Sequence, residues 1–132
     1  MQLDHITIVA SDCACLRDFF VEVAGMEEGA RPAFGVAGHW LYLGRLPVLH
    51  LIERPEAQAD AGVANGRPAA RIDHMALRID SAPEWQKLLR RLRERQVPYQ
   101  LSGAGALQER QLFVTLAPAV TVEFVIAAEH LA

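Results

Sequence analysis

Three histidines and one glutamate have the residue types and the spacing that could bind a metal ion. His5 in LDHITIVA and His74 in IDHMALRI occupy the same place in two similar stretches, 69 positions apart. His50 in PVLHLIE and Glu123 in VTVEFVIA follow those histidines by 45 and 49 positions. Imidazole nitrogens and carboxylate oxygens are common ligands of divalent transition metals. One such histidine alone is more often a hydrogen-bonded structural residue, but the repetition favours a shared metal site.

All four stretches have the pattern of β-strands, and this pattern decides which side chains share a face. Alternation places His5 with Thr7 on one face of the first strand, and Ile6 with Ile8 on the other. Glu123 lies in a strand so apolar that burying its carboxylate without a partner would cost several kcal/mol. We therefore expect a partner for Glu123, and we expect the repeated histidines to point away from the helices.

Each histidine strand is followed by a stretch with helical spacing. Ser11 or Asp12 should cap the first helix, Asp80 or Ser81 should cap the second, and Gly25 should end the first. The apolar residues of the two predicted helix faces are again 69 positions apart: Leu16, Phe19, Phe20 and Val23, then Trp85, Leu88, Leu89 and Leu92. The repeat therefore includes a strand, a cap and a helix face.

Short β-like runs after each helix complete two β-α-β-β-β modules, residues 1–53 and 71–128. The linker between them, residues 54–70, is rich in Ala, Gly and Pro. One module would bury too little apolar surface to be stable alone, whereas 132 residues that are 52% apolar can form a core. We predict a single α+β domain over residues 1–132.

Charge and cysteine usage exclude several classes of protein. The formal net charge of −3 gives no basic surface for nucleic acid, and the run KLLRRLRERQ should be the solvated face of a helix. No apolar stretch is long enough to span a membrane, and we expect no secretory leader because the first residues lack the charged and apolar pattern of one. Cys13 and Cys15 lie two positions apart at the start of a predicted helix, where their side chains diverge and cannot easily form a disulfide. Both should therefore be reduced thiols. These features predict a cytoplasmic protein.

The duplicated module resembles the vicinal oxygen chelate superfamily, which has the glyoxalase and bleomycin-resistance fold. The residues that carry the resemblance are LDHITIVA with His5, VLHLIE with His50, IDHMALRI with His74 and VEFVI with Glu123. The segment LRDFFVEVAGMEEG also resembles a helix of that family. The resemblance implies two tandem modules that form a cupped mixed sheet around one divalent metal ion, Fe, Zn, Ni or Mn.

The resemblance also implies an activity and its alternatives. A metal-dependent enzyme would act on a small-molecule substrate whose adjacent oxygens chelate the ion. Glu123 would be either a ligand only or both a ligand and a displaceable catalytic base. The reaction would be of lyase, isomerase or dioxygenase type. Relatives of isomerase type usually have Glu or Gln where this chain has His50, and the segment APAVT at 117–121 replaces their usual turn. The alternative is a metal-free binding protein of the bleomycin-resistance type.

Other residues are candidates for contacts with the substrate or with a second subunit. Trp40 and Tyr42 alternate on one predicted strand, and Arg110 and Gln111 begin another. Aromatic strand residues often pack, and arginines are often surface residues, so these roles compete with structural ones. Weaker candidates for an arginine clamp are Arg31 and Arg78, whereas His39 and His130 look incidental. Relatives usually form homodimers, so we also expect a homodimer.

Overall fold

The structure is a computed structural model that describes residues 1–55, 70–103, 108–117 and 120–131. The eight described strands are β1 (Gln2–Ala10), β2 (Glu27–Gly29), β3 (Gly38–Leu43), β4 (Leu46–Glu53), β5 (Ala70–Ile79), β6 (Gln100–Ser102), β7 (Glu109–Ala117) and β8 (Val120–Ala127). The α-helices within these residues are α1 (Ala14–Asp18) and α2 (Ala82–Glu94). Residues 56–69 of the predicted linker, and residues 118 and 119 of the APAVT segment, lie outside the described residues.

The chain divides into two compact units. The N-terminal unit is His5–Asp73, and the C-terminal unit is Met1–Asp4 with His74–Ala132. Strand order is β2-β3-β4-β1 in the first and β5-β8-β7-β6 in the second. In each unit the first and last strands in sequence are parallel, and the other pairs are antiparallel. The predicted α+β class, the mixed strand directions and the repeated β-α-β-β-β order are confirmed.

Strand register shows that the two units repeat residue by residue. On β4, His50 pairs with Thr7 of β1. On β8, Glu123 pairs with Ala76 of β5, which lies 69 positions after Thr7. The predicted correspondence between His50 and Glu123 is therefore confirmed.

In the N-terminal unit, the apolar core forms on the face of the sheet opposite His5. Ala10, Leu41 and Leu51 are fully buried there, and Ile6 and Ile8 pack against them. Because these residues alternate with His5 and Thr7 along the strands, the imidazole of His5 points away from α1 and its core, as predicted. His5 is itself buried, with 7% of its surface exposed.

The apolar face predicted for the first helix is partly wrong. Phe19 is 53% exposed and Val23 is 72% exposed, whereas Leu16, Phe20 and Val21 pack against the core. The cause is a π-helical turn over Phe19–Val23, in which the Ala24 amide donates to the Phe19 carbonyl five residues back. A π-turn rotates each residue less than an α-helix does, so the buried face shifts by one position.

The beginning of α1 also differs from the expected cap. Cys13 is the N-cap residue and makes no side-chain cap bond. The Asp12 carboxylate instead accepts a hydrogen bond from the Ala14 amide at 2.9 Å, and the Glu53 carboxylate accepts one from the Cys13 amide at 3.1 Å. Two carboxylates thus satisfy amides at this helix terminus, which favours negative charge. Gly25 follows the π-turn with φ of +81°, as expected for the end of a helix.

In the C-terminal unit, α2 matches its predicted pattern. Trp85 and Leu92 are buried, and Leu88 and Leu89 pack against the same core, which includes Ile79, Leu112 and Ile126. The Ser81 hydroxyl accepts a hydrogen bond from the Glu84 amide at 3.3 Å. The predicted cap and helix face are both confirmed because α2 is regular from end to end.

Candidate functional site

His74 and Glu123 form a buried pair in the C-terminal unit. Parallel pairing of β5 with β8 places them on the same face, and Nε2 of His74 lies 3.1 Å from Oε2 of Glu123. The side chains are 15% and 3% exposed. The partner predicted for the buried carboxylate is therefore an imidazole, which offsets the cost of removing Glu123 from water.

An aromatic residue that the sequence did not single out lies beside this pair. Phe113 of β7 pairs directly with Glu123 of β8. Its ring meets the imidazole of His74 edge to face, with centroids 6.3 Å apart and an interplanar angle of 87°. The alternation of QLFVTLA, which places Phe113 opposite the core residues Leu112 and Val114, was the available signal.

His5 and His50 form the equivalent pair in the N-terminal unit, but their rings stack. The centroids are 3.8 Å apart and the planes differ by 16°. The indole of Trp40 stacks on the other face of the His50 ring. The centroids of these two rings are 4.1 Å apart, and their planes differ by 8°. Nε2 of His50 lies 3.0 Å from the Pro47 carbonyl oxygen, which suits a donating Nε2–H. A metal ligated by His50 would then bind through Nδ1.

Asp4, Arg78 and Glu109 form a half-buried charge network in the C-terminal unit. Nε of Arg78 lies 2.6 Å from Oδ1 of Asp4, and Nη2 lies 2.5 Å from Oε1 of Glu109. Burial alone would lower the pKa of Arg78, but the hydrogen bonds to Glu109 and Asp4 outweigh it and raise the pKa. These carboxylates already engage Arg78, so it is not an open clamp for a substrate.

The predicted substrate-binding residues have different surroundings. Trp40 lies in the stack with His50. The Tyr42 hydroxyl donates to the Ala30 carbonyl at 2.5 Å, and its ring packs over Gly29, where a Cβ atom would lie 2.7 Å from the ring. Tyr42 therefore has a clear structural role between β2 and β3.

Arg110 and Gln111 lie on opposite faces of β7. Gln111 pairs with Val125 and shares the face of Glu123. Arg110 pairs with the core residue Ile126 and is exposed. Only Gln111 of these two points to the side of the strand that carries the candidate ligand.

The other two histidines, His39 and His130, belong to neither of these histidine pairs. Nδ1 of His39 lies 2.5 Å from Oε2 of Glu28, which also accepts from Nε of Arg17 at 3.0 Å. His130 lies in the short 3-10 turn Ala128–Leu131 near Glu129. Both are about a third exposed, in keeping with surface roles.

Within the described part of the chain, no helix has both the length and the apolarity needed to cross a bilayer.

Comparisons with known proteins identify the fold. No family model matches the chain, and no curated protein sequence matches it significantly. Methylmalonyl-CoA epimerase from Mycobacterium tuberculosis is similar over 96% of this chain and 88% of its own, with a TM-score of 0.63 and 22% identity. A hypothetical protein from Bacillus halodurans C-125 is similar over 95% and 93%, with a TM-score of 0.62 and 21% identity.

A ring-cleaving enzyme is also similar, although it is much longer. Catechol 2,3-dioxygenase gives a TM-score of 0.73 at 12% identity, and the match covers 96% of this chain but only 40% of the dioxygenase. At identities below a quarter, these similarities concern the fold and not the activity. On this basis the chain has the fold of these structures, the glyoxalase-like fold that its repeated histidine strands predicted.

Proposed function

We propose that this protein is a metal-dependent enzyme of the vicinal oxygen chelate type that acts on a small oxygenated substrate. The observation that carries the proposal is the contact at 3.1 Å between His74 of β5 and the buried Glu123, which is the one charged residue of β8. A buried carboxylate is costly to maintain and is often kept for chemistry. The similarity to structures of an epimerase and of a dioxygenase supports an enzyme as well.

The donor set that we favour is His5, His74 and Glu123, with His50 as a further ligand through Nδ1. Two or three nitrogens and one oxygen suit Fe, Zn, Ni or Mn, whose selection depends on availability as much as on affinity. The three favoured side chains are all largely buried, so their charges and lone pairs are poorly screened by water. The residue types therefore fit a divalent transition metal.

The chain's own residues would then have distinct roles. A bound divalent ion would supply Lewis acidity for a substrate whose adjacent oxygens chelate it. Glu123, positioned by His74 at 3.1 Å, would be the group that accepts a proton from the substrate and returns it. Trp40 and Gln111 would contact the substrate. The reaction would be of lyase, isomerase or dioxygenase type.

A metal-free binding protein is the second candidate, and one observation favours it. Trp40, His50 and His5 form a continuous stack of three rings in the N-terminal unit. Stacked aromatic and imidazole rings are suited to holding a planar organic molecule by contact alone. In this case His5 would be a wall of a binding site and not a ligand.

Metal analysis of protein purified without chelators or a polyhistidine tag separates the two candidates. We expect about one divalent ion per chain in the wild-type protein and large losses in His5→Ala and Glu123→Ala. His130→Ala, which removes an exposed histidine, is the matched control and should retain the metal. Equal metal content in all four proteins would reject the enzyme proposal in favour of the binding protein.

A further inference from the structure

Arg31 lies near the stack through Phe34, and one of its guanidinium nitrogens has no hydrogen-bond acceptor. Its Nε atom is buried without a hydrogen-bond partner. Among the described residues, the structure also records no ion pair for Arg31, whereas Arg17 and Arg78 each contact two carboxylates. Buried polar groups in proteins are nearly always hydrogen-bonded, so an unpaired buried guanidinium atom requires an explanation.

The position of Arg31 is held by two contacts within the N-terminal unit. Its guanidinium carbon lies 5.2 Å from the centroid of the Phe34 ring, in a cation–π contact. Its Nη2 atom lies 2.9 Å from the place where a Cβ atom of Gly38 would be. That Cβ atom would lie still closer to the Leu51 carbonyl oxygen, so only glycine fits between the Leu51 backbone and the guanidinium.

Phe34 links Arg31 to the stack of Trp40 and His50. Gly38 pairs with Ile52 of β4, and Trp40 pairs with His50, so the four positions share one face of the sheet. The ring of Phe34 also approaches that of Trp40, with centroids 6.0 Å apart. Gly38 and Trp40 are two residues apart on β3, or about 7 Å along the strand.

We propose that Arg31 binds a carboxylate group of the substrate, and that the substrate is therefore an organic acid whose carboxylate is separate from its reacting oxygens. The planar fork of a guanidinium matches a carboxylate in a bidentate geometry. Phe34, 45% exposed, supports the guanidinium and leaves the site accessible. The assignment of this anion as a substrate group rests on the proposed function, whereas the anion site itself does not require a metal.

Nuclear magnetic resonance of metal-free protein tests the site directly. The Arg31 Nε–Hε signal is assigned by its loss in Arg31→Lys, and sodium acetate is the probe, with sodium chloride and inorganic phosphate as comparisons at equal ionic strength. We expect acetate to shift this signal and the Trp40 indole signal in a saturable way. Arg31→Met should weaken the effect at Trp40 tenfold or more, since it removes a charge-assisted bidentate contact.

Arg45→Met is the matched control, because it removes one exposed arginine at the turn between β3 and β4. It should bind acetate as the wild type does. The proposal is overturned if acetate acts no differently from chloride, if Arg45→Met weakens binding as much as Arg31→Met, or if phosphate binds and acetate does not. Metal content of Arg31→Met should equal that of the wild type. Saturable acetate binding, together with no metal in protein purified without chelators, would reject the proposed enzyme alone. A bound metal in the purified protein, without specific acetate binding, would reject the anion site alone.

Discussion

Arg78 stabilises the carboxylates of Asp4 and Glu109, which are both largely removed from water. The side chains of Arg78, Asp4 and Glu109 are 24%, 21% and 16% exposed. Removing one member of a buried ion pair is more damaging than forming the pair is favourable, because the remaining charge stays desolvated. The network also connects Asp4 of β1 to Arg78 of β5, 74 positions later in the chain.

We predict that Arg78→Met lowers the free energy of unfolding by about 1–3 kcal/mol, less than for a fully buried pair because all three groups keep some contact with water. Urea denaturation measures the change. Arg90→Met is the control, since Arg90 lies 3.8 Å from Glu94 on an exposed face of α2 and should matter little. Equal effects of the two substitutions would contradict a stabilising role for the network.

The two thiols should react very differently in the folded protein. Burial raises the pKa of the Cys13 thiol to about 11, and the nearby carboxylates of Glu53 and Asp12 add to the shift. Cys15 is exposed. Because the thiolate is the reactive form, we expect a maleimide at about pH 8 to label one thiol per native chain and two per unfolded chain.

Cys15→Ser is the control for this assignment and should leave the native protein unlabelled. The raised pKa of Cys13 also determines how the free energy of unfolding changes with pH. Between the ordinary thiol pKa of 9.0 and about 11, folded Cys13 retains a proton that the unfolded chain loses, so the free energy of unfolding falls as the pH rises. A rapid native reaction of Cys13 would show that the beginning of α1 opens readily.

At the scale of elements, the π-turn after α1 decides which phenylalanine belongs to the core. Phe20 packs against the core and Phe19 is 53% exposed, although both lie on the apolar face that helical spacing predicts. We predict that Phe20→Ala lowers the free energy of unfolding by about 2–4 kcal/mol. Phe19→Ala should cost under about 1 kcal/mol, mainly its edge contact with Phe20.

Thermal and urea denaturation of the two variants measure this difference. The pair is well matched, because the same side chain is removed from neighbouring positions of one turn. A larger loss for Phe19→Ala than for Phe20→Ala would mean that the helix keeps a regular α-helical phase in solution.

The last two strands of each repeated module expose apolar side chains, which bears on how the protein assembles. Each exposes two large apolar side chains: Leu43 and Leu46 in the β3–β4 hairpin, and Leu116 and Val120 in β7 and β8. Exposed apolar residues in clusters are typical of surfaces that another chain covers. Strands β2 and β6 are only three residues long, which limits uncontrolled pairing at their edges.

At the scale of the whole molecule, we therefore predict a homodimer, with a mass near twice the 14.6 kDa of one chain. Sedimentation equilibrium measures the mass. Leu46→Glu or Leu116→Glu should shift the equilibrium toward monomer, because each places a charge on an apolar surface. Lys87→Glu on the exposed face of α2 is the control and should not. A monomeric wild-type protein at all accessible concentrations would contradict the prediction.

Local periodicity was enough to predict the repeated architecture. The two histidine strands, the amphipathic face of α2 and the Ser81 cap follow from alternation or from spacings of three and four residues. Such patterns depend on neighbours within a few positions, so they can be read from the chain itself. The correspondence of His50 with Glu123 was predictable for the same reason, once the repeat was recognised.

Contacts between distant residues were decided by the tertiary structure. The stack of Trp40 on His50, the use of Arg78 by Asp4 and Glu109, and the unpaired Nε of Arg31 depend on which strands are neighbours and in what register. The sequence offers Arg110 and, as weaker candidates, Arg31 and Arg78, and only the contacts made in the folded chain separate them. Hydrogen bonds and ring contacts act over a few ångströms, so they are determined only when the chain has folded.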